Sequence, residues 1–315
     1  MRFSPEELRS SLDGLLAFPL TPFTDDDGVH LPVLREGIER LLGAGVAGVF
    51  PACGTGEFFS LSPAEYSQVV SACVEQVGGR VPVVAGTGYG TALARSFAAA
   101  AEEAGADGLL VLPPYLVSGG PEGLEDHYRA VARSTRLGII LYQRDQAIFE
   151  PETVERLAAA PNVIGFKDGA GEAERLLRIR GRTAGRLILL NGMPTAEIHA
   201  RSLAACGARA YSSAILNFMP EVATRFYRAM REGDEGAMDS LLERAVLPFA
   251  EIRRRRPGYA VALVKAGARL RDVPVGRVRP PLGEVRPEDE KDLRDLLASL
   301  ELAGAPSGRS ARAAP

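Results

Sequence analysis

The sequence repeats one pattern eight times: a short apolar run, a loop and an amphipathic segment, with a period of about 25–35 residues. The runs lie at residues 14–19, 46–52, 81–86, 108–112, 138–142, 163–167, 187–191 and 209–212. Short runs that are apolar throughout are typical of strands buried on both faces, and intervening helices make such a sheet parallel. The pattern therefore predicts an α/β protein with a (β/α)8 TIM barrel; a doubly wound open sheet is the alternative.

The segments between the runs, and those after them, are predicted to be helical. In Ser62-Pro63-Ala64-Glu65 the serine caps the helix, the proline occupies its first turn and the glutamate completes a capping box. After about residue 232 the strand pattern stops, and three helices are expected over 233–251, 259–269 and 287–300. We therefore expect a barrel over 1–232 and a small three-helix C-terminal domain over 233–302. A disordered tail rich in Ala, Gly, Ser, Arg and Pro is expected over 303–315.

Size and charge exclude several classes of function. The chain has 315 residues, which accommodates one barrel of about 250 residues plus a small extension. A net charge of −3 gives nucleic acid no general reason to bind. No run of about 18 apolar residues is present to span a membrane, and residues 1–13 lack the apolar region of a signal peptide. Cys53, Cys73 and Cys206 have no CxxC spacing, so we expect free thiols in a reducing cytoplasm.

A metal site is difficult to assemble from these residues. None of His30, His127 and His199 lies three or four residues from another histidine, and each is expected at the surface or in a loop. We predict no metal and no cofactor. The basic run 253–256 is interpreted as an exposed helix end or a subunit contact. A nucleic-acid site is disfavoured there because the rest of the chain is not basic.

Catalytic residues of such barrels lie at the C-terminal ends of strands, and Lys167 ends the sixth run. Strand alternation places Lys167 on the same face as Val163 and Gly165. Ile164 and Phe166 fall on the other face, where they are expected to pack against helices. Lys167 then points into the barrel mouth. Desolvation there disfavours the charged amine and leaves the nucleophile that attacks a ketone.

Tyr142 ends the fifth run on the face shared by Gly138 and Ile140, one strand from Lys167 and at the same height. A phenol in that position can relay protons to and from an imine. Two alternatives stay open. For Lys167, the alternative is a strand-end lysine that reaches water or pairs with Asp168. For Tyr142, it is an aromatic side chain that fills the core and leaves its hydroxyl at the rim.

Three loops supply candidate substrate-binding residues. The loop 53–57 follows the second strand, and its glycines let backbone N–H groups approach an anion while Thr55 adds a hydroxyl. Gly54 and Thr55 are therefore expected to bind a substrate carboxylate. The loop is not a phosphate-binding P-loop, because the Gly-Lys-Ser/Thr ending is absent. The ends of the seventh and eighth strands also place polar groups at the rim of the barrel. They are Asn191 and Gly192 at the seventh and Ser212 at the eighth.

Together these segments resemble the dihydrodipicolinate synthase and N-acetylneuraminate lyase superfamily. The matching segments are Gly54-Thr55-Gly56-Glu57, Pro113-Pro114-Tyr115, Tyr142 and Gly165-Phe166-Lys167-Asp168. The resemblance implies that Lys167 is the Schiff-base lysine and Tyr142 the proton relay, and that Gly54 and Thr55 bind the carboxylate beside the ketone. It also implies a homo-oligomer, a tetramer or dimer, with Tyr115 near a subunit contact.

The departures from that pattern argue against lysine biosynthesis. Tyr115 is followed by Leu116 where dihydrodipicolinate synthases carry a second tyrosine, and Gly54 stands where they carry a second threonine. Their Tyr-Asn-x-Pro-x-Arg stretch is Tyr142-Gln143-Arg144-Asp145-Gln146-Ala147 in this chain. The three-residue proton relay and the usual partner for a semialdehyde carboxylate are therefore missing.

Other segments resemble the 5-dehydro-4-deoxyglucarate dehydratase branch. They are residues 56–61, 113–116, 144–145, 191–197 and 211–214, with Gln143 standing where that branch usually has Asn. The resemblance implies that an imine on Lys167 drives dehydration and decarboxylation of a keto sugar diacid to 2,5-dioxopentanoate in glucarate catabolism. Ser212 and Asn191 would bond the substrate's carbinols. The alternatives are another imine-forming lyase, either a 2-keto-3-deoxy sugar acid aldolase or a dihydrodipicolinate synthase-like enzyme, and a non-catalytic sugar-acid sensor.

Overall fold

Eight parallel strands form the centre of the molecule in the computed structural model, which describes residues 1–115 and 119–304. They are β1 (Leu15–Ala17), β2 (Gly48–Val49), β3 (Val84–Thr87), β4 (Gly108–Val111), β5 (Gly138–Gln143), β6 (Val163–Asp168), β7 (Ile188–Asn191) and β8 (Ala210–Ser213). The strand order is β2-β1-β8-β7-β6-β5-β4-β3, and a parallel bridge between Val49 and Val83 joins the two ends of the sheet. The sheet therefore closes into the predicted (β/α)8 barrel.

Helices follow the strands and cover the outside of the barrel. They are α2 (Leu31–Gly43), α3 (Pro63–Val77), α4 (Thr91–Glu103), α5 (Gly120–Arg133), α6 (Pro151–Leu157), α7 (Ala173–Arg182), α8 (Ala196–Ala205) and α9 (Pro220–Glu232); α1 (Pro5–Ser11) precedes β1. The predicted capping box of α3 is present. The Ser62 hydroxyl accepts the Glu65 N–H at 3.3 Å, and the Glu65 carboxylate accepts the Ser62 N–H at 2.9 Å.

The segments after the barrel are helical, as predicted. Helix α10 (Glu235–Leu241) continues through a π-helical turn (Leu242–Val246) into α11 (Leu247–Arg254), followed by α12 (Tyr259–Arg269) and α13 (Pro287–Gly304). These helices share one apolar core with the outer layer of the barrel, for example where the Phe218 and Phe249 rings lie 5.4 Å apart. The first two residues of the predicted tail 303–315 belong to α13, and residues 305–315 lie outside the described part of the chain.

Helix α1 closes the N-terminal end of the barrel. Leu8 and Leu12 are fully buried among the side chains of the barrel interior. A Cβ atom on Gly108 or Gly138, the first residues of β4 and β5, would lie 2.6 or 2.7 Å from Leu8 Cδ2. Glycine at these strand starts is therefore required by the close approach of the leucine, and the opposite end of the barrel is the one available for a site.

Strand β6 departs from simple alternation. Ile139 pairs with Val163 but Ile140 pairs with Gly165, so Ile164 is an extra residue in a β-bulge. Ile164 consequently belongs to the barrel interior, while Phe166 packs in the outer layer. The prediction that Ile164 faces the helices was therefore wrong.

His127 also differs from its prediction as a surface or loop residue. It lies on α5, is 6% exposed and packs edge-on against the Tyr128 ring. Its Nδ1 atom lies 2.9 Å from the Thr91 hydroxyl, which satisfies one ring nitrogen inside the protein.

Within residues 1–115 and 119–304, no helix combines the length and apolarity needed to cross a membrane.

Candidate active site

A cavity of about 580 Å³ opens at the C-terminal mouth of the barrel. Its volume lies in the range of about 300–1,000 Å³ that is usual for small-molecule sites. Strand ends and loops supply most of its wall, and the C-terminal helices complete it through Phe249, Arg253 and Val261. The sequence-predicted residues that line it are Gly54, Thr55, Tyr142, Lys167, Gly192 and Ser212.

Lys167 and Tyr142 face each other inside this cavity. They are register partners on β5 and β6, and each is 4% exposed. The Lys167 Nζ atom lies 4.1 Å from the centroid of the Tyr142 ring and 4.9 Å from that of Phe18. In the described part of the chain no carboxylate pairs with Lys167. The amine therefore ends among aromatic rings with no anion to occupy it, as imine formation with a carbonyl requires.

Asp168, the alternative partner of Lys167, is engaged elsewhere. Its Oδ1 atom accepts hydrogen bonds from Gln143 Nε2 at 2.9 Å and from the Ala170 N–H at 3.0 Å. The Gln143 side-chain oxygen in turn accepts the Phe149 N–H at 3.0 Å. Gln143 and Asp168 are both buried and form a structural network that fixes the loops after β5 and β6. Gln143 stands where the resemblance led us to expect an asparagine, and its longer side chain lies outside the cavity.

The Tyr142 hydroxyl is held between two groups. It donates to the Gly192 carbonyl at 3.3 Å and accepts from Arg144 Nη1 at 3.4 Å. Burial alone would raise the pKa of Tyr142, but the positive charges of Lys167 and Arg144 outweigh it and lower that pKa. A Cβ atom on Gly192 would lie 2.8 Å from Lys167 Cγ and 3.0 Å from Tyr142 Cε2. Gly192 therefore lets the two side chains approach, and the acidified phenol is suited to proton transfer.

The loop after β2 has free hydrogen-bond donors. The N–H groups of Glu57 and Phe58 are used inside the loop. Across residues 1–115 and 119–304, those of Gly54 and Thr55 donate to no protein acceptor. Close packing requires glycine at Gly56, where a Cβ atom would lie 3.1 Å from neighbouring backbone atoms, whereas Gly54 borders open space. Two free N–H groups beside a hydroxyl suit a carboxylate.

A buried ion pair fixes this loop from the C-terminal helices. Lys265 on α12 places its Nζ atom 2.7 Å from Glu57 Oε1, and both side chains are fully buried. The same amine donates to the Arg277 carbonyl at 2.7 Å, and Glu57 Oε2 accepts the Arg279 N–H at 3.0 Å. The helices after the barrel therefore hold the loop that carries Thr55.

The remaining predicted residues divide between cavity and framework. Ser212 lines the cavity and is half-buried. Asn191 does not line it: its Nδ2 atom donates to the Ala196 carbonyl at 2.9 Å, and its Oδ1 atom accepts the Met193 N–H at 3.0 Å. The expectation that Asn191 bonds substrate carbinols is thus not supported, because its amide already shapes the loop after β7. Thr195 lines the cavity instead, with a buried hydroxyl that has no partner in the described chain.

Both arginines that line the cavity were missed as site residues from the sequence. Arg144 follows β5, and Arg253 lies in the last turn of α11. Arg253 lies at a helix end, as the interpretation of the basic run expected, but its side chain is half-buried and lines the cavity. The spacing of Arg253 from the barrel motifs carries no signal of this, because only the packing of α11 brings it to the mouth.

Other nucleophiles and metal ligands are not placed for chemistry. Cys53 lies next to the site but is completely buried, which raises the pKa of its thiol to about 12 against the opposing charge of Lys167. Cys73 and Cys206 are buried and free as well. The described ranges contain no cluster of three or more His, Cys, Asp or Glu residues that could hold a metal ion.

Comparison with known proteins gives concordant results. The model of the dihydrodipicolinate synthetase family matches residues 11–300. A Streptomyces avermitilis protein named "Probable 5-dehydro-4-deoxyglucarate dehydratase 2" is 50% identical over 302 residues, 95% of this chain and 91% of the relative. A Bradyrhizobium diazoefficiens protein named "Probable 5-dehydro-4-deoxyglucarate dehydratase" is 45% identical over 301 residues, 95% and 96% of the two chains. An Escherichia coli K12 prophage protein, solved in complex with pyruvate, superposes with a TM-score of 0.82 at 27% identity over 92% of this chain and 98% of its own.

Proposed function

The chain belongs to the dihydrodipicolinate synthetase family, and we propose that it converts 5-dehydro-4-deoxy-D-glucarate to 2,5-dioxopentanoate, CO2 and water in the breakdown of sugar diacids such as glucarate. The observation that carries the proposal is the buried Lys167 amine, which has no carboxylate partner within residues 1–115 and 119–304 and lies in register with Tyr142 inside the cavity. Relatives 45–50% identical over nearly the whole chain bear the name of this activity.

The first stage is formation of an imine. The substrate has a ketone beside one carboxylate, then a CH2 group, two carbinols and a second carboxylate. Thr55 and the free N–H groups of the β2 loop hold the carboxylate next to the ketone. The Lys167 amine attacks the ketone carbon, and water leaves as Tyr142 relays the protons.

The second stage uses the imine as an electron sink. The positive nitrogen acidifies the neighbouring CH2 group, and loss of a proton gives an enamine. Expulsion of the β-hydroxyl as water gives a conjugated iminium. The distant carboxylate is vinylogous to that iminium, so loss of CO2 sends its electron pair to nitrogen and leaves an enol, which becomes an aldehyde. Hydrolysis releases 2,5-dioxopentanoate and frees Lys167, and the imine itself supplies the electron sink that the reaction needs.

Incubation of the protein with 5-dehydro-4-deoxyglucarate tests the proposal directly. We expect one CO2 and one aldehyde product for each substrate consumed. Release of pyruvate instead would identify an aldolase of the same family, and tight binding without turnover would identify a sensor. Borohydride added during turnover should trap an adduct on Lys167. Mapping is simple because the sequence contains only two other lysines, Lys265 and Lys291.

We also propose a homo-oligomer, a tetramer or dimer, that works in the cytoplasm. Tyr115, at the cavity mouth, is 64% exposed and packs against the Tyr89 ring at 6.0 Å. An aromatic side chain left this open is suited to a subunit contact, although the following residues 116–118 lie outside the described chain. The three buried free thiols suit a reducing compartment. A monomer in sedimentation at working concentration would contradict the oligomer.

A further inference from the structure

Arg253 is a cation without an anion at the wall of the cavity. Its Nε atom is buried and has no hydrogen-bond partner, and no carboxylate pairs with its guanidinium, within residues 1–115 and 119–304. Arg279 shows the usual solution in this protein, since it pairs with Glu65 and Asp27. A guanidinium donor that is removed from water without a partner costs free energy, unless a ligand supplies the acceptor.

The surroundings of Arg253 are basic. Burial lowers the pKa of Arg253, and the positive charges of Arg254 and Arg144 lower it further. His199 also lies close enough for its pKa to be lowered, first by burial and then by Arg253 and Arg254. This part of the cavity therefore has an excess of positive charge that an anionic ligand would offset.

Arg144 faces the same cavity from the barrel side. Its Nη1 atom donates to the Tyr142 hydroxyl at 3.4 Å, and its Nε atom lies 3.3 Å from the carboxylate of the adjacent Asp145. The pair with Asp145 is exposed, with 46% and 68% of the two side chains accessible, so it contributes little. Arg144 is therefore available to a ligand that extends from Lys167 towards α11.

We propose that Arg253 and Arg144 bind the second carboxylate of the substrate, the one farther from the ketone. The inference rests on the proposed function for the identity of the substrate, but it requires only a 2-oxo diacid that forms an imine on Lys167. The loop at Thr55 and the arginine pair then hold the two ends of the diacid. A 2-oxo monoacid bound to Lys167 as an imine would contact the loop at Thr55 but not the arginine pair.

The contact should act mainly on binding. A carboxylate carries its full negative charge before decarboxylation and none once it has left as CO2, so its attraction to the arginines weakens along the reaction. Interactions that are no stronger in the transition state than in the bound substrate raise affinity without accelerating the chemical step. Loss of Arg253 is therefore expected to raise KM far more than it lowers kcat.

Two unreactive probes separate this contact from the chemistry. 2-Oxoadipate has the same six-carbon diacid skeleton with no hydroxyl to expel, and 2-oxohexanoate has a methyl group in place of the far carboxylate. The measurement is the probe concentration that gives half-maximal borohydride trapping on Lys167 of the intact protein. The wild-type protein should trap 2-oxoadipate at the lower concentration. In Arg253→Ala this concentration should rise about 10- to 100-fold for the diacid and stay unchanged for the monoacid, since only one charge-assisted contact is removed.

Matched variants make the outcome specific. Arg254→Ala removes the adjacent, exposed charge, which does not line the cavity, and should leave both probes unchanged. Arg253→Lys keeps the charge but loses the planar guanidinium fork, and should recover part of the preference for the diacid. Thermal melting of each variant checks the fold.

The inference is overturned if the wild-type protein does not prefer the diacid, if Arg253→Ala leaves the preference intact, or if it weakens both probes equally. Failure of the proposed function gives a different result. The wild-type protein could prefer 2-oxoadipate in an Arg253-dependent way and yet release no CO2 from 5-dehydro-4-deoxyglucarate. That result would support the carboxylate site and contradict the proposed reaction.

Discussion

Two lysines of this chain are buried beside aromatic rings, but only one of them forms an ion pair within the described residues. Lys167 is the last residue but one of strand β6, and Lys265 lies on helix α12. Each places its Nζ atom 4.1 Å from an aromatic centroid, that of Tyr142 for Lys167 and that of Phe23 for Lys265. Lys265 forms an ion pair with Glu57 at 2.7 Å and donates to a backbone carbonyl. Lys167 faces a cavity and has no carboxylate partner in the described chain.

The difference shows how partners, rather than burial, separate a structural lysine from a chemical one. Burial lowers the pKa of Lys265, and the adjacent Glu57 opposes that shift. The charge of Lys265 is therefore used to join α12 to the loop of Thr55. Among residues 1–115 and 119–304 no carboxylate pairs with the amine of Lys167, so that amine remains available to an incoming ketone. The two lysines also cooperate, since the loop held by Lys265 presents the groups proposed to bind substrate on Lys167.

The largest effect is expected from Lys167→Ala, which should abolish turnover and leave the fold intact. A methyl group forms no imine, and the strand end beside the open cavity tolerates a smaller side chain. Turnover of 5-dehydro-4-deoxyglucarate and thermal melting measure the two properties separately. Substantial activity in this variant, or a borohydride adduct on Lys265, would remove the distinction between the two lysines.

Tyr142→Phe should lower turnover by about two to four orders of magnitude, the usual range for one positioned acid–base group. Only the oxygen is removed, so the ring that packs against Lys167 stays and the loss reports proton transfer. Steady-state kinetics with separate kcat and KM values is the measurement, and KM should change much less than kcat. An unchanged rate would show that Tyr142 is a plug of the core, and a loss confined to KM would assign it to substrate recognition.

Lys265→Met should lower the free energy of unfolding by about 3–5 kcal/mol, because it leaves the buried Glu57 carboxylate without its cation. Denaturant titration measures the change, and Lys291→Met is the matched control. Lys291 is exposed and pairs with Asp295 one helical turn away, so its loss should cost no more than about 1 kcal/mol. Adding Glu57→Gln to Lys265→Met should recover part of the stability. A Lys265→Met variant as stable as the control would contradict a structural role.

Exhaustive chelation should have no effect on turnover. The imine on Lys167 is itself the electron sink, and the described residues offer no cluster of metal ligands. Turnover before and after dialysis against a chelator is the comparison. A loss of activity that a divalent ion restores would mean that Lys167 does not supply the electrophile alone.

Some features follow from local patterns and were predicted from the sequence. The strands and helices recur with the periodicities of buried strands and amphipathic helices. Tyr142 and Lys167 meet because each lies near the C-terminal end of one of two neighbouring parallel strands. The capping box before α3 is a signal within four residues. An equivalent box, Ser4 to Glu7, precedes α1 and could have revealed that helix, which was not predicted.

Other features depend on contacts between distant segments. The bulge that turns Ile164 inward reflects the register of β6 against β5, which alternation within one strand does not contain. Asn191 is polar and ends a strand, as a binding residue would, but the backbone of its own loop occupies its amide. Arg253 reaches the cavity only because α11 packs across the barrel mouth. Periodicity and spacing thus determined the barrel and its central lysine and tyrosine, because these are short-range properties of a chain. The allocation of buried polar groups between framework and cavity was decided by tertiary packing, because each group's partner lies on another segment.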